Sequence, residues 1–579
     1  MRFLRMLTNS LLAGAFGAAY LTIIVLQLNP EVPLLSATPW WWFLTMGTLY
    51  GLHLAVVLYV IIVAREFFTM NVLSPGWVSV RLLAWLGAAL SAVAAVLMWL
   101  NVRGFAPALG EAAAWRMTAG AMATSVSTIV LLAIAGAHYS SGRRGSRVGA
   151  WLFVIAIIAS MALPIAARGG GTGSPLRAVH PGPGGGMVPE EHGPRITLLS
   201  LDGASLEQIW PRAAEGRLPN FSRVLDGGAV ISLAATRPTQ PDPIWAAVAT
   251  GKYPATTGVR SSARYYALGD TRGIDLLPDH CLSHALVRLG FVRDAPLRSG
   301  DWQAVPLWDI LSSEGLTSGI VRWPLTHPAP PIAGFVVSDR SYQAASSIAE
   351  FERAAYPRDA LRTVQAMAAD APGSRGDDGS EPMFDPGSPE ATAYERDRYY
   401  ARIGRALNFE RTPRLFALRY TGLDTVGHHY LRYVQPGAAR RVSEEDRRRY
   451  AAVVDRYYAF IDAELGIALN ALRDGDLLLV VSGFGMQPLN AAKKLVGRVL
   501  GDPDLSGTHE RAPDGFMVAY GSAVQPGRPQ RGAIVDVTPT ILYFFGLPVA
   551  RDMDGYARSD LFTRDFTAER PVTFIPSYR

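Results

Sequence analysis

Asp424 and His428 stand four residues apart in the stretch Y-T-G-L-D-T-V-G-H-H-Y, a spacing that stacks two side chains on one face of a helical turn. The apolar run Arg414 to Tyr420 precedes them and reads as a strand, so the turn is expected at a strand's carboxyl end, where open α/β sheets place their sites. A carboxylate and an imidazole so arranged can hold a divalent metal such as zinc. A helix-capping Asp beside a surface His fits the same letters. His429 points elsewhere on such a helix.

Two further stretches carry chemistry. Arg195 to Leu201 reads as a buried strand ending at Asp202-Gly203, and a carboxylate there is either a metal ligand or the start of an Asx-turn. In Arg237 to Pro254 a Pro-rich turn leads into a short apolar helix ended by Thr250-Gly251. Its N-terminus is a natural anion site, and Thr239 and Asp242 lie beside it as reactive groups or as caps.

The elements around these residues alternate. Helices are expected over Leu218 to Leu225, Trp308 to Gly315, Glu444 to Leu472 and Asp536 to Phe545, with strands at Ser318 to Val321 and Asp476 to Ser482. That order defines a doubly wound α/β domain with a largely parallel central sheet over residues 195–579. Gly373 to Pro389 reads as a polar surface loop, and His327 as a crevice, core or loop residue.

Residues 1–167 are of another kind. Five apolar stretches, roughly 10–28, 41–64, 82–100, 115–137 and 148–167, each approach the ~20 residues of a spanning helix. Arg2, Arg5, Arg65, Arg81, Arg143, Arg144 and Arg147 cluster on alternate loops, which predicts a cytoplasmic N-terminus and an outward-facing domain after the fifth span. Trp40, Trp41 and Trp42 fit the outer interface, and His53 is expected to hydrogen-bond between helices. Residues 168–194 form a Gly/Pro-rich linker. Of the 55 basic residues only Lys252, Lys493 and Lys494 are lysines, and no run of like charge suggests nucleic acid. The single cysteine, Cys281, forbids an intramolecular disulfide. Together these features predict a multi-pass protein of a bacterial inner membrane with a periplasmic or extracellular domain. Oligomeric state has no signal in the sequence.

The motifs of residues 196–555, in order, resemble the alkaline phosphatase superfamily, and within it the type I phosphodiesterase/nucleotide pyrophosphatase branch. They are L-D-G at Asp202, L-P-N-F at Leu218, P-T…W…T-G over Pro238 to Gly251, P-L-W-D-I-L at Pro306, D-x-x-G-H at Asp424 and G-T-H at Gly507. The resemblance implies a metal site, usually zinc, at Asp424, His428 and His509, and a second site to which Asp202 would contribute. It also implies a hydroxyl nucleophile and an Asp-His pair, but this chain has Pro241 at the first position and Gly483-Phe484 at the second. One zinc, or another divalent metal, is therefore expected, with the second site lost.

Two functions follow from the resemblance. The first is a membrane-anchored, metal-dependent phosphoric-ester hydrolase or transferase acting on a phosphorylated small molecule or lipid. Thr239 or Asp242 would replace the nucleophile, Asp202 would handle the proton, and Arg264 and Tyr265 would contact phosphate. The second is a catalytically degenerate domain that binds a ligand or partner in the envelope. Five spans before such a domain also resemble the envelope phosphoethanolamine and glycerophosphate transferases, in topology alone.

Overall fold

The computed structural model describes residues 2–69, 80–140, 147–171, 193–278, 283–344, 347–369, 382–435, 442–489, 494, 505–509 and 512–578. Most of the expected linker, its His180 and His192, the first part of the Gly373 to Pro389 loop, Cys281 and Lys493 lie outside the described residues. The chain forms two compact units, Met1–Leu176 with Ala263–Pro296, and Arg177–Ser262 with Leu297–Arg579.

In the first unit, five helices among the described residues are long and apolar enough to cross a membrane: α1 (Phe3–Leu28), α2 (Thr38–Arg65), α3 (Leu82–Ala108), α4 (Glu111–Ala137) and α5 (Val148–Arg168). The chain is a multi-pass membrane protein by this measure. Small residues bring α1 and α2 together: a Cβ on Gly14 would lie 2.3 Å from the Gly51 carbonyl oxygen. Gly51 closes a π-helical turn, Gly47–Gly51, within α2. Hydroxyl pairs tie the helices inside the bundle, Tyr20 to Ser160 at 2.5 Å and Ser91 to Thr128 at 2.8 Å. Val56, Val57, Val60 and Ile61 face outward, as side chains in contact with lipid do. His53 is also exposed on α2 and faces away from its neighbours, unlike the expected helix-to-helix bond. The same unit holds an antiparallel hairpin whose strands are numbered below with the rest.

The strands are β1 (Ile196–Leu201), β2 (Ala229–Ala234), β3 (Ala263–Ala267), β4 (Val292–Pro296), β5 (Ser318–Val321), β6 (Gly334–Val337), β7 (Ala355–Tyr356), β8 (Leu415–Tyr420), β9 (Leu477–Phe484), β10 (Gln487–Pro488), β11 (Gly507–Thr508), β12 (Asp514–Tyr520) and β13 (Gly532–Ala533). The second unit is built on a sheet ordered β13-β2-β12-β9-β1-β8-β5-β6-β7. Its centre, β9-β1-β8-β5-β6, is parallel, and β12 and β7 run antiparallel. The near-continuous apolar strands are the reason: β1 and β9 are buried on both faces. Leu477, Leu479 and Val481 pack into one layer, while Leu478 and Val480 pack into the other. Each such burial contributes about 1.5–3 kcal/mol relative to exposure.

Four helices of this unit matter for the site. They are α6 (Pro241–Thr250), α7 (Pro389–Arg411), α8 (Gly422–Val434) and α9 (Glu444–Ala471). The helix α7 was not anticipated, because its apolar side chains are interleaved with charge. The sheet with its two helical layers is the alkaline-phosphatase-like α/β fold expected from the order of elements.

Candidate metal centre

Strand β8 delivers the chain to Thr421, and α8 begins there. Asp397 on α7 accepts the two opening amides, Thr421 N at 3.2 Å and Gly422 N at 3.1 Å. It also accepts the Tyr457 hydroxyl at 2.9 Å and pairs with the buried Arg322. Gly422 has no space for a side chain, since a Cβ would fall 1.6 Å from the Tyr457 hydroxyl oxygen. The first turns of α8 are thus fixed by a carboxylate at the positive end of the helix.

Asp424 and His428 lie one turn apart on α8. His509 reaches them from the loop after β11, which is laid against α8: Ser506 N donates to His428 O at 2.7 Å, and His428 Nδ1 donates to Gly507 O at 2.9 Å. His509 Nδ1 donates to Thr239 O at 2.8 Å. A carbonyl can only accept, so both imidazoles carry a proton on Nδ1, which in the neutral ring makes Nε2 the atom able to ligate a metal. His428 Nε2 is 3.6 Å from Asp424 Oδ2, and His509 Nε2 is 4.0 Å from Asp424 Oδ1. All three ligand atoms fall within 4.8 Å of one another.

A tetrahedral zinc with bonds of about 2.0–2.1 Å spaces its ligand atoms by about 3.3 Å, against 3.6 Å and 4.0 Å from Asp424 to the two imidazoles and at most 4.8 Å for any pair, so the triad fits once the side chains close by up to about 1.5 Å. Asp424 Oδ1 is buried without a hydrogen-bond partner. Burial pushes its carboxyl up, and His428 and His509 pull it down only in part. A buried carboxylate oxygen without a donor costs free energy that a cation would offset. The three residues therefore fit a divalent metal with an open position.

Asp202 is placed differently from the expectation that it adds a metal ligand. Its Oδ1 accepts from Trp245 Nε1 at 2.6 Å and from Arg419 Nε at 3.0 Å, and its Oδ2 accepts from Arg419 Nη2 at 2.6 Å. Both residues of the pair are at least nine-tenths buried. Burial would lower the Arg419 pKa, but Asp202, Asp242 and Asp339 together hold it above its ordinary value. A guanidinium thus occupies the side of Asp202 that a cation would use. The end of β9 is closed as well. A Cβ on Gly483 would lie 2.4 Å from Ile244 Cγ2, and the buried Phe484 ring packs 5.0 Å from the His509 ring.

At the N-terminus of α6, Pro241 is the first helical residue. The Thr239 hydroxyl is fully buried and donates to Thr236 O at 3.0 Å, so Thr239 acts on the centre through its carbonyl. Asp242 is half-buried, and its carboxyl is pushed up to about 6 by burial, against the pull of Arg419. Arg264 and Tyr265 lie on β3 in the other unit, where Arg264 pairs with Asp275 at 3.5 Å and the Tyr265 ring is buried among apolar side chains. His327 is buried between Ser338 and Glu350. Three contributors went unread in the sequence: Arg419, Asp397 and Trp245. Arg419 carries a signal, since a charge inside an otherwise apolar buried strand requires a buried counter-charge.

Asp242 supports a pH prediction. Its carboxyl takes up a proton near pH 6 when folded but near 3.8 otherwise, so the folded state gains stability as pH falls from about 6 to about 4. Asp242→Asn is expected to stabilise the protein above pH 6 by up to about 3 kcal/mol, with the difference gone below pH 4. Denaturant titrations at pH 7.5 and 4 check this, and equal effects at both would contradict it. A second prediction concerns α8. Asp397→Asn is expected to weaken divalent-metal binding by about 10- to 100-fold through the loosened helix start, as read by chelator competition. Unchanged affinity would mean that Asp397 only stabilises the fold.

The domain is thus a mostly parallel α/β sheet with an Asp-His-His cluster at its carboxyl edge that could hold a metal. The chain belongs to the type I phosphodiesterase/nucleotide pyrophosphatase family, which matches residues 196–526. With its five apolar helices it is a membrane-anchored, phosphoric-ester hydrolase-like protein. No curated protein matches the chain.

Proposed function

We propose that the protein is a single-metal phosphoric-ester hydrolase or transferase whose catalytic domain faces outward from a bacterial inner membrane, with the N-terminus cytoplasmic. The observation that carries the reading is the triad itself: two imidazoles oriented by carbonyls toward the Asp424 carboxylate, whose Oδ1 has no donor. Asp424, His428 and His509 would hold the metal, most simply zinc, which when bound polarises a phosphoryl oxygen and lowers the pKa of a water ligand toward ~7. Asp242, whose carboxyl is pushed up to about 6 and bonds Ser262, can hold or release a proton, whereas the Thr239 hydroxyl is buried and donates to Thr236 O. Arg419 holds Asp202 in a buried two-point ion pair beside the site. A lipid-linked or envelope phosphoester suits a membrane-anchored domain, and nucleic acid does not suit this charge pattern.

A second reading, a binding domain without turnover, is favoured by one observation: the expected nucleophile position is a proline and the neighbouring hydroxyl is buried. Metal analysis combined with hydrolysis of a chromogenic phosphodiester separates the two. One equivalent of metal with turnover supports the hydrolase, one equivalent without turnover on diesters, monoesters and phospholipids supports the binding domain, and no metal defeats the triad.

A further inference from the structure

The segment Ala263–Pro296 lies inside the family-matched stretch, yet it packs with the membrane helices. Strands β3 and β4 pair from Ala263↔Pro296 to Ala267↔Val292. Ala263, Tyr265 and Ala267 alternate inward and join Val25, Leu26, Trp42 and Met46 in one apolar cluster. The side chain of Asn29, just past α1, clamps the segment: its Oδ1 accepts Asp275 N at 3.0 Å and Leu276 N at 2.9 Å, and its Nδ2 donates to Leu276 O at 2.9 Å. Leu276 packs with Leu28, Phe105, Leu109 and Met117. Gly269 presses on Trp41 so closely that a Cβ would lie 2.7 Å from the indole. The docking site is therefore the end of the bundle where α1 and α3 finish and α2 and α4 begin. Arg168 caps the same end, donating to Leu26 O, Asn29 O and Val32 O.

The outer side of the segment is unlike a water-facing surface. Leu268, Leu289 and Phe291 are 58%, 63% and 38% exposed. At the same end of the bundle Leu35, Trp40 and Trp115 are exposed. Arg272 and Arg293 are exposed as well, and Arg293 stacks on Tyr266 at 4.6 Å. Tryptophans, large aliphatic side chains and stacked arginines at one level of a helical bundle are the composition of a membrane–water interface.

We propose that the described residues of this segment, 263–278 and 283–296, form a membrane-interface platform. It lies in the head-group layer of the leaflet at that end of the bundle, with Leu268, Leu289 and Phe291 in the acyl boundary and Arg272 and Arg293 at lipid phosphates. The occupant of this face is the bilayer itself, argued from its continuity with the spanning helices through Asn29 and the shared apolar cluster. The chain enters the segment from Ser262 and returns at Leu297, both residues of the sheet unit, so the segment is an insertion into that unit's sequence. The platform does not depend on the metal centre being active.

The test uses the full-length protein in nanodiscs of phosphatidylethanolamine and phosphatidylglycerol, with a fluorophore on Leu268→Cys, Leu289→Cys or Phe291→Cys in a Cys281→Ser background. These side chains are exposed, so labelling requires no core rearrangement. Lipids brominated near the head of the acyl chain are expected to quench all three labels at least about twofold, as side chains seated some 5–10 Å into the boundary would be, while aqueous iodide quenches weakly. Iodide quenching without lipid quenching would overturn the proposal by placing the segment in water. Protection from both quenchers would overturn it in favour of a protein partner or a second copy.

Discussion

Replacing His509 by alanine is expected to abolish stoichiometric divalent-metal binding and to lower phosphodiester hydrolysis on the order of 10³-fold. The metal is asked to supply several kcal/mol of charge stabilisation at about 1.4 kcal/mol per decade of rate. Two ligands on α8 alone leave a site open on two sides. The change also frees the Thr239 carbonyl, which His509 now engages at 2.8 Å, and removes the face that packs on Phe484. Both side effects are local, so the fold should persist and a stability measurement should shift by no more than about 1–2 kcal/mol. Elemental analysis and kinetics on one preparation check the prediction. Wild-type metal content in the variant would remove His509 from the centre.

The second large effect is expected at Arg419. Arg419→Met should destabilise the protein by about 3–5 kcal/mol, because it leaves the Asp202 carboxylate buried with Trp245 as its remaining donor. The double variant Asp202→Asn/Arg419→Met should recover most of that loss, since it removes the stranded charge along with its partner. Denaturant unfolding followed by tryptophan fluorescence reads both, Trp245 being itself bonded to Asp202. A second outcome is of interest for the chemistry. If Asp202 becomes available when Arg419 is lost, Arg419→Met will bind more metal than the wild-type protein. Equal stoichiometry together with a mild destabilisation would show that the pair neither strains nor blocks the site.

Much of this was legible in the letters. Strands β1, β5, β8 and β9 stand where mostly apolar runs placed them, because a parallel strand covered on both faces has no need of polar alternation. The five apolar helices follow from length and hydropathy, since the hydrocarbon layer sets both. Spacing alone put Asp424 and His428 on one helical face, and the order of the motifs pointed to the family.

Other features depend on distance through space rather than along the chain. His509 stands far from Asp424 in sequence and meets it only because β11 and Ser506 are bonded to α8. The direction of each imidazole was settled by carbonyls at Gly507 and Thr239, and backbone acceptors have no sequence signature. Asp202 could be read as a ligand until Arg419 was seen across the β1–β8 pair, where the register sets Ser200 beside Arg419. The same limit applies to Ala263–Pro296. Its letters belong to the hydrolase-like stretch, but its apolar face meets Trp42 and Asn29 of the membrane helices, and only the assembled bundle supplies that partner. Local sequence thus determined the elements and one helical face of chemistry. Tertiary packing decided which carboxylate is left without a donor and which part of the matched stretch packs on the apolar helices, because burial and unpaired charge are properties of the assembled neighbourhood.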